Sequence, residues 1–218
     1  MIKYKNLNLF NFGFGNKKED LTIYDIGGID HGTQHASIYK EVLSDIHKYN
    51  NITILNNSST SIPSTNISLV GSTLWTKNPY YRLPCCYEFS YIHKFDKQGN
   101  LRQFLGNDLK EWFYEDYTHI KESIKIFESN IVLTHHCPSF FLTNITIKNR
   151  MEASDLEHIF VKKIPIWLSG AGSKSISGVF GVTKDTFCAV NSYTTFDKPH
   201  VINSGYNHEA YISLRTDN

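Results

Sequence analysis

Two kinds of apolar spacing alternate along this chain: short β-branched runs that stop at glycine or asparagine, and longer stretches whose apolar residues recur every three or four positions. LTIYDIG at 21–27 is β-branched and aromatic and closes on Gly27-Gly28, which predicts a strand. In HASIYKEVLSDIHKYN, at 35–50, Ile38, Val42, Leu43 and Ile46 share one helical face. ITILNN (52–57) reads as a short strand, SSTSIPST (58–65) as turn, and ISLVGSTLW (67–75) as an apolar strand that stops at Gly71 and Trp75. Residues 78–106 are rich in Tyr, Pro and Asn with weak periodicity, which predicts a surface excursion with one short strand around Phe89–Ile92. Leu109, Phe113, Tyr117, Ile120, Ile124 and Phe127 then step by three or four, predicting a helix over 107–127 capped by Asn107 or Asp108. IVLTHHCPS (131–139) is a buried strand that delivers two histidines to its carboxyl end. SDLEHIFVKK (154–163) is a short capped helix, IPIWLSG (164–170) a strand, and VFGV, TFCAVNSY, HVIN and AYISL further strands. Helix and strand alternate early and strands dominate later, so the expected architecture is a layered α/β sandwich in a single domain over residues 1–218.

Composition narrows the partners more than it names them. With 40% apolar and 14% aromatic residues in 218, one sizeable core can be buried. A net charge of +1 from 22 basic and 21 acidic residues leaves no basic stripe, so neither nucleic acid nor an anionic membrane is expected. MIKYKNLNLF lacks the apolar core of a signal peptide and no run is long enough to span a bilayer, which predicts an intracellular, cytoplasmic protein. Cys85 and Cys86 are adjacent while Cys137 and Cys188 stand alone, a pattern of free thiols rather than of zinc ligands or a disulfide framework.

Ligands of open α/β sheets gather where the strands end, and three such loops carry candidate chemistry: GGIDHGTQH, THHCPS and SGAGSKS. His135-His136 is the sharpest of these features, because neutral imidazole is a common metal ligand and a strand end aims it well; a hydrogen-bonded loop histidine is the alternative. Cys137 beside them is a poor thiol nucleophile, since adjacent strand residues point to opposite faces. In GAGSKS the backbone amides and Lys174 offer an anion cradle, but the stretch runs towards strand-like sequence rather than into a helix.

Taken in order, these segments resemble the later half of calcineurin-like metallophosphoesterases. ISLVGSTLWTK is similar to a G-x-TLWT strand of one branch, THHCPS to a Thr-His-His-x-Pro-Ser strand end whose first His is a metal ligand, SDLEHIF with IPIWLSG to the helix and strand before a Gly-His-x-His loop, and CAVNSY to a later strand ending in Asn. The resemblance implies an α/β/β/α sandwich of the metallophosphoesterase type, truncated at the N-terminus. It also implies a chemistry in which two metal ions activate a bridging hydroxide. The departures bear on that chemistry: Asp-x-His and Gly-Asp-x-x-Asp have no counterpart, Gly27-Gly28-Ile29-Asp30 replaces Gly-Asn-His-Asp, and Gly170-Ala171-Gly172-Ser173 lacks both imidazoles. The expectation is therefore a pseudoenzyme with vestigial metal residues, His135 and Asp30, and no cofactor. The competing expectation is an active phosphoesterase with one divalent ion, zinc or manganese, on Asp30, His31 or His35 with His135 or His136. Loss of the N-terminal strands would leave LTIYDIG at a sheet edge, so a protein partner or a second copy is expected there unless the first twenty residues, with Leu7, Leu9, Phe10, Phe12 and Phe14, cover it.

Overall fold

The computed structural model describes residues 8–10, 22–24, 52–77, 93–142, 153–170, 176–180 and 186–190. Three short strands, β1 (Asn8–Phe10), β2 (Thr22–Tyr24) and β3 (Ile52–Ile54), form a parallel sheet in that order. Of the alternatives expected for LTIYDIG, cover by the first twenty residues is the one observed, in place of an edge left open for a partner. β2 lies between two neighbours, Leu9 opposite Ile23 on one side and Ile23 opposite Thr53 on the other, because the N-terminal segment itself supplies the second strand.

A second sheet has six strands in the order β10-β11-β9-β8-β5-β4. They are β4 (Ser58–Ser61), β5 (Ile67–Ser72), β8 (Ser129–Thr134), β9 (Ile166–Ser169), β10 (Ile176–Phe180) and β11 (Thr186–Val190). β5, β8, β9 and β11 run parallel, and the two outer strands pair antiparallel. The period of two assigns each residue to a face. Val70, Val132, Trp167 and Cys188 stand opposite one another across the four parallel strands, all fully buried. Leu69, Ile131 and Ile166 form the row on the other face, where Leu55 and Ile62 pack. Burial on both faces is why these strands read as continuous apolar runs instead of alternating ones.

The first face is covered by α1 (Gly106–Ile126), whose Leu109, Phe113 and Ile120 pack onto Val70, Val132 and Trp167. The helix agrees with its predicted span, but the cap differs. Leu105 holds the extended cap position, and Asp108, three residues in, accepts the Leu105 N–H at 2.9 Å. Arg102 grips the same carboxylate with two nitrogens at 2.6 and 2.7 Å, tying α1 to a hairpin of β6 (His93–Phe95) and β7 (Leu101–Gln103). In that hairpin the Asp96 side chain accepts the N–H groups of Gln98 and Asn100 at 2.9 and 2.8 Å, and Gly99 takes φ 82°, a conformation glycine adopts without a Cβ penalty. The strand expected around Phe89–Ile92 lies outside the described residues, as do the expected helix at 35–50 and strands HVIN and AYISL.

Two further expectations are corrected. Ser58–Ser61, read as turn, is an edge strand whose ladder is supplied by β5, and only Ile62–Asn66 turns, with Ser64 at φ 60° and the Thr65 hydroxyl donating to the Ile62 carbonyl at 2.9 Å. Its run of hydroxyl side chains suits an outer strand, which gains nothing from apolar residues facing water. SDLEHIFVKK is not a helix beyond one 3₁₀ turn at Glu157–Ile159. The N–H groups of Ser154 and Leu156 are taken by the carbonyls of Cys137 and Pro138, both at 2.9 Å, so the start of the segment is held extended against THHCPS. No helix among the described residues is long and apolar enough to cross a membrane.

Candidate functional site at the carboxyl ends of the parallel strands

One step beyond the apolar row, on the same face, the register places Ser72, Thr134 and Ser169 side by side at the ends of β5, β8 and β9. All three are buried, so each hydroxyl needs a partner. Thr134 Oγ1 donates to the carbonyl of His136 at 2.7 Å and accepts the indole N–H of Trp167 at 2.9 Å. Its one hydrogen being used, the 3.4 Å contact with Ser169 is a bond that Ser169 donates. Ser72 Oγ donates to Asn57 Oδ1 at 2.7 Å.

Asp116 reaches this layer from α1. Its Oδ2 accepts the backbone N–H of Trp75 at 3.0 Å, and the side chains of Asn57 and Ser72 stand beside it. Burial pushes its carboxyl up to about 6, while the Trp75 N–H, Asn57 and Ser72 pull the other way. Sequence reasoning did not single out Asp116, although a signal existed. It sits three residues after Phe113 and four before Ile120, on the buried stripe of the helix, where a carboxylate is expensive unless it is hydrogen-bonded.

The two histidines have different surroundings. His136 is buried; its backbone N–H and its ring Nδ1 both approach the carbonyl of Thr73, at 3.1 and 3.4 Å. A carbonyl only accepts, so Nδ1 carries the hydrogen. Burial first, then the neighbouring His135, drive its basicity down to about 3, and the imidazole is neutral at ordinary pH. Its ring lies 5.5 Å from that of Trp75, which continues to Trp112 at 5.3 Å and Phe104 at 6.0 Å. His135 is half-buried and meets His136 edge-on at 4.8 Å.

The loops after β8 and β9 come together as expected: the Gly170 N–H is shared between the carbonyls of Thr134 and His135, at 3.2 and 3.1 Å. His135 therefore sits against Gly170, and residues 171–175 beyond it lie outside the described residues. Asp30, His31 and His35 also lie outside them, so the structure brings together His135 and His136 only. Among the described residues no group of three or more His, Cys, Asp or Glu side chains is disposed to hold a metal ion. Cys137 and Cys188 are fully buried, and burial raises the Cys188 thiol to about 12, far from the ionised form that reacts. Searches against protein-family models, curated proteins and solved structures give no match to this chain.

Proposed function

We propose that this chain is a degenerate relative of calcineurin-like metallophosphoesterases that works by association with a protein partner or a second copy, not by catalysis. The observation that carries this is the way the polar groups at the strand ends are used. Ser72, Thr134, Ser169, Asp116 and His136 bond to one another, to Asn57 and to the backbone, which is the arrangement of a supporting layer. His135 stands where the resemblance puts a ligand, but the sequence that leaves β9 reads Gly170-Ala171-Gly172-Ser173, which offers no imidazole or carboxylate side chain to share a metal with it. With β2 already flanked on both sides, the edges on offer to a partner strand are those of β1 and β3, the two outer strands of that sheet among the described residues.

The test is to purify the full chain without chelator, count its bound zinc and manganese, and assay generic phosphodiester hydrolysis with added manganese beside the His135→Ala variant. Sub-stoichiometric metal, no hydrolysis above the variant, and a dimer or a co-purifying partner in sedimentation are expected. Metal-dependent hydrolysis that disappears in His135→Ala with the fold intact would instead establish the mononuclear enzyme, with Asp30 and His31 as the next ligands to examine.

A further inference from the structure

The segment that follows β5 is held in an unusual way. Leu74 is fully buried and adopts φ 54°, a left-handed conformation that disfavours any residue with a Cβ. The ties that hold it include the Leu74 N–H to Ser72 Oγ at 3.4 Å, the Thr73 carbonyl to His136, and the Trp75 N–H to Asp116. The last is the strong one, since a carboxylate acceptor makes a charge-assisted bond. Of these three it is also the one whose acceptor changes charge near neutral pH.

We propose that Asp116 is the control point of a pH-sensitive clamp on the Thr73–Lys77 loop, loosening the placement of Trp75 when its carboxylate takes up a proton. Protonation turns the Trp75 bond into an ordinary neutral one. It also changes the choice open to Ser72, whose single hydrogen lies between Asn57 Oδ1 and Asp116. Trp75 passes the change on, because its ring bridges His136 at the strand ends to Trp112 and Phe104 on the far side. Within three residues of Asp116 on α1 the titratable groups are Tyr114, Glu115, Tyr117 and His119; the loop brings Lys77 and the turn after β8 brings His135 and His136, while β4, β5 and Asn57 bring none. Glu115 opposes ionisation of Asp116, and His136 stays neutral across the relevant range. His119, whose basicity burial lowers, is the group most easily confused with Asp116, as both lie on α1. The inference stands independently of the proposed function, since it concerns the loop and not a ligand.

Amide resonances of the isotopically labelled full chain, followed from about pH 8 to about pH 4.5, test it. The Trp75 amide proton is expected to move with one midpoint near 6, and its solvent exchange, corrected for intrinsic rates, to speed up about tenfold on the acid side. His119→Gln keeps that titration, whereas Asp116→Asn abolishes it and leaves Trp75 in its acid-side state. A Trp75 amide that does not titrate in the unaltered protein overturns the proposal, and so does a titration that His119→Gln removes or that survives in Asp116→Asn.

Discussion

The indole N–H of Trp167 on β9 donates to the hydroxyl of Thr134 on β8 at 2.9 Å, and that hydroxyl hands its own hydrogen to the His136 carbonyl two residues on at 2.7 Å. One atom thus joins two central strands to the turn that carries both histidines. Thr134→Val keeps the shape and removes the atom, leaving a buried donor and a buried acceptor without partners. A loss of about 2–4 kcal/mol is expected, with most of it recovered in Thr134→Ser. Denaturant unfolding of the two variants checks this, and equal losses would refute it.

Gly71 makes a different kind of demand. A Cβ built there would overlap the Cβ of Leu55, which covers that face of the sheet. Gly71→Ala should therefore destabilise by at least about 2 kcal/mol, the cost of overpacking a filled core. Because the overlap is with Leu55 Cβ itself, adding Leu55→Ala gives no relief, while Leu55→Gly removes the overlap. A thermodynamic cycle over these variants measures it.

Asp116 gives a pH dependence whose sign follows from its direction of shift. Its carboxyl is raised from 3.8 to about 6, so the folded protein holds a proton that the unfolded chain has released. This group's favourable contribution is complete below the unfolded value and is lost as pH rises through the folded one, a change of at most about 3 kcal/mol between about pH 4 and pH 6. Asp116→Asn should flatten that part of the stability profile and raise stability at neutral pH by about 1–2 kcal/mol, even as it weakens the tie to Trp75. Urea midpoints across the range are the readout.

For His135 the expected change is small. Its ring meets His136 edge-on and its carbonyl, which survives any substitution, holds Gly170. His135→Ala should cost about 1–2 kcal/mol and leave association unchanged, as judged by unfolding and sedimentation. His136→Ala should cost more, about 2–4 kcal/mol, because it empties a packed site beside Trp75 and removes the hydrogen bond to Thr73.

What the sequence by itself determined is whatever depends on short-range periodicity. The helix from Leu109 to Ile124 and the strands at Ile67, Ile131 and Ile166 were legible because their apolar spacing records the face each must bury. So was the meeting of the THHCPS and SGAG loops, since neighbouring parallel strands end on the same side. Pairing between distant segments was decided only in three dimensions. Asn8–Phe10 pairs with β2 and Ser58–Ser61 with β5; the first lies in an alternating run, MIKYKNLNLF, whose partner the pattern does not name, and the second carries no apolar pattern of its own. SDLEHIF loses a helix because its start lies extended against Cys137 and Pro138, paired to them strand-fashion. The division between His135 and His136 is of the same kind. Two adjacent imidazoles are equivalent as letters, and only the Thr73 carbonyl and the Trp75 ring, brought in by the loop after β5, make one of them a structural donor. Asp116 stands between the two cases: its place on the buried stripe was written in the helix period, but its partners Trp75, Asn57 and Ser72 come from a strand end some forty residues or more away, and a hydrogen bond has no local signature.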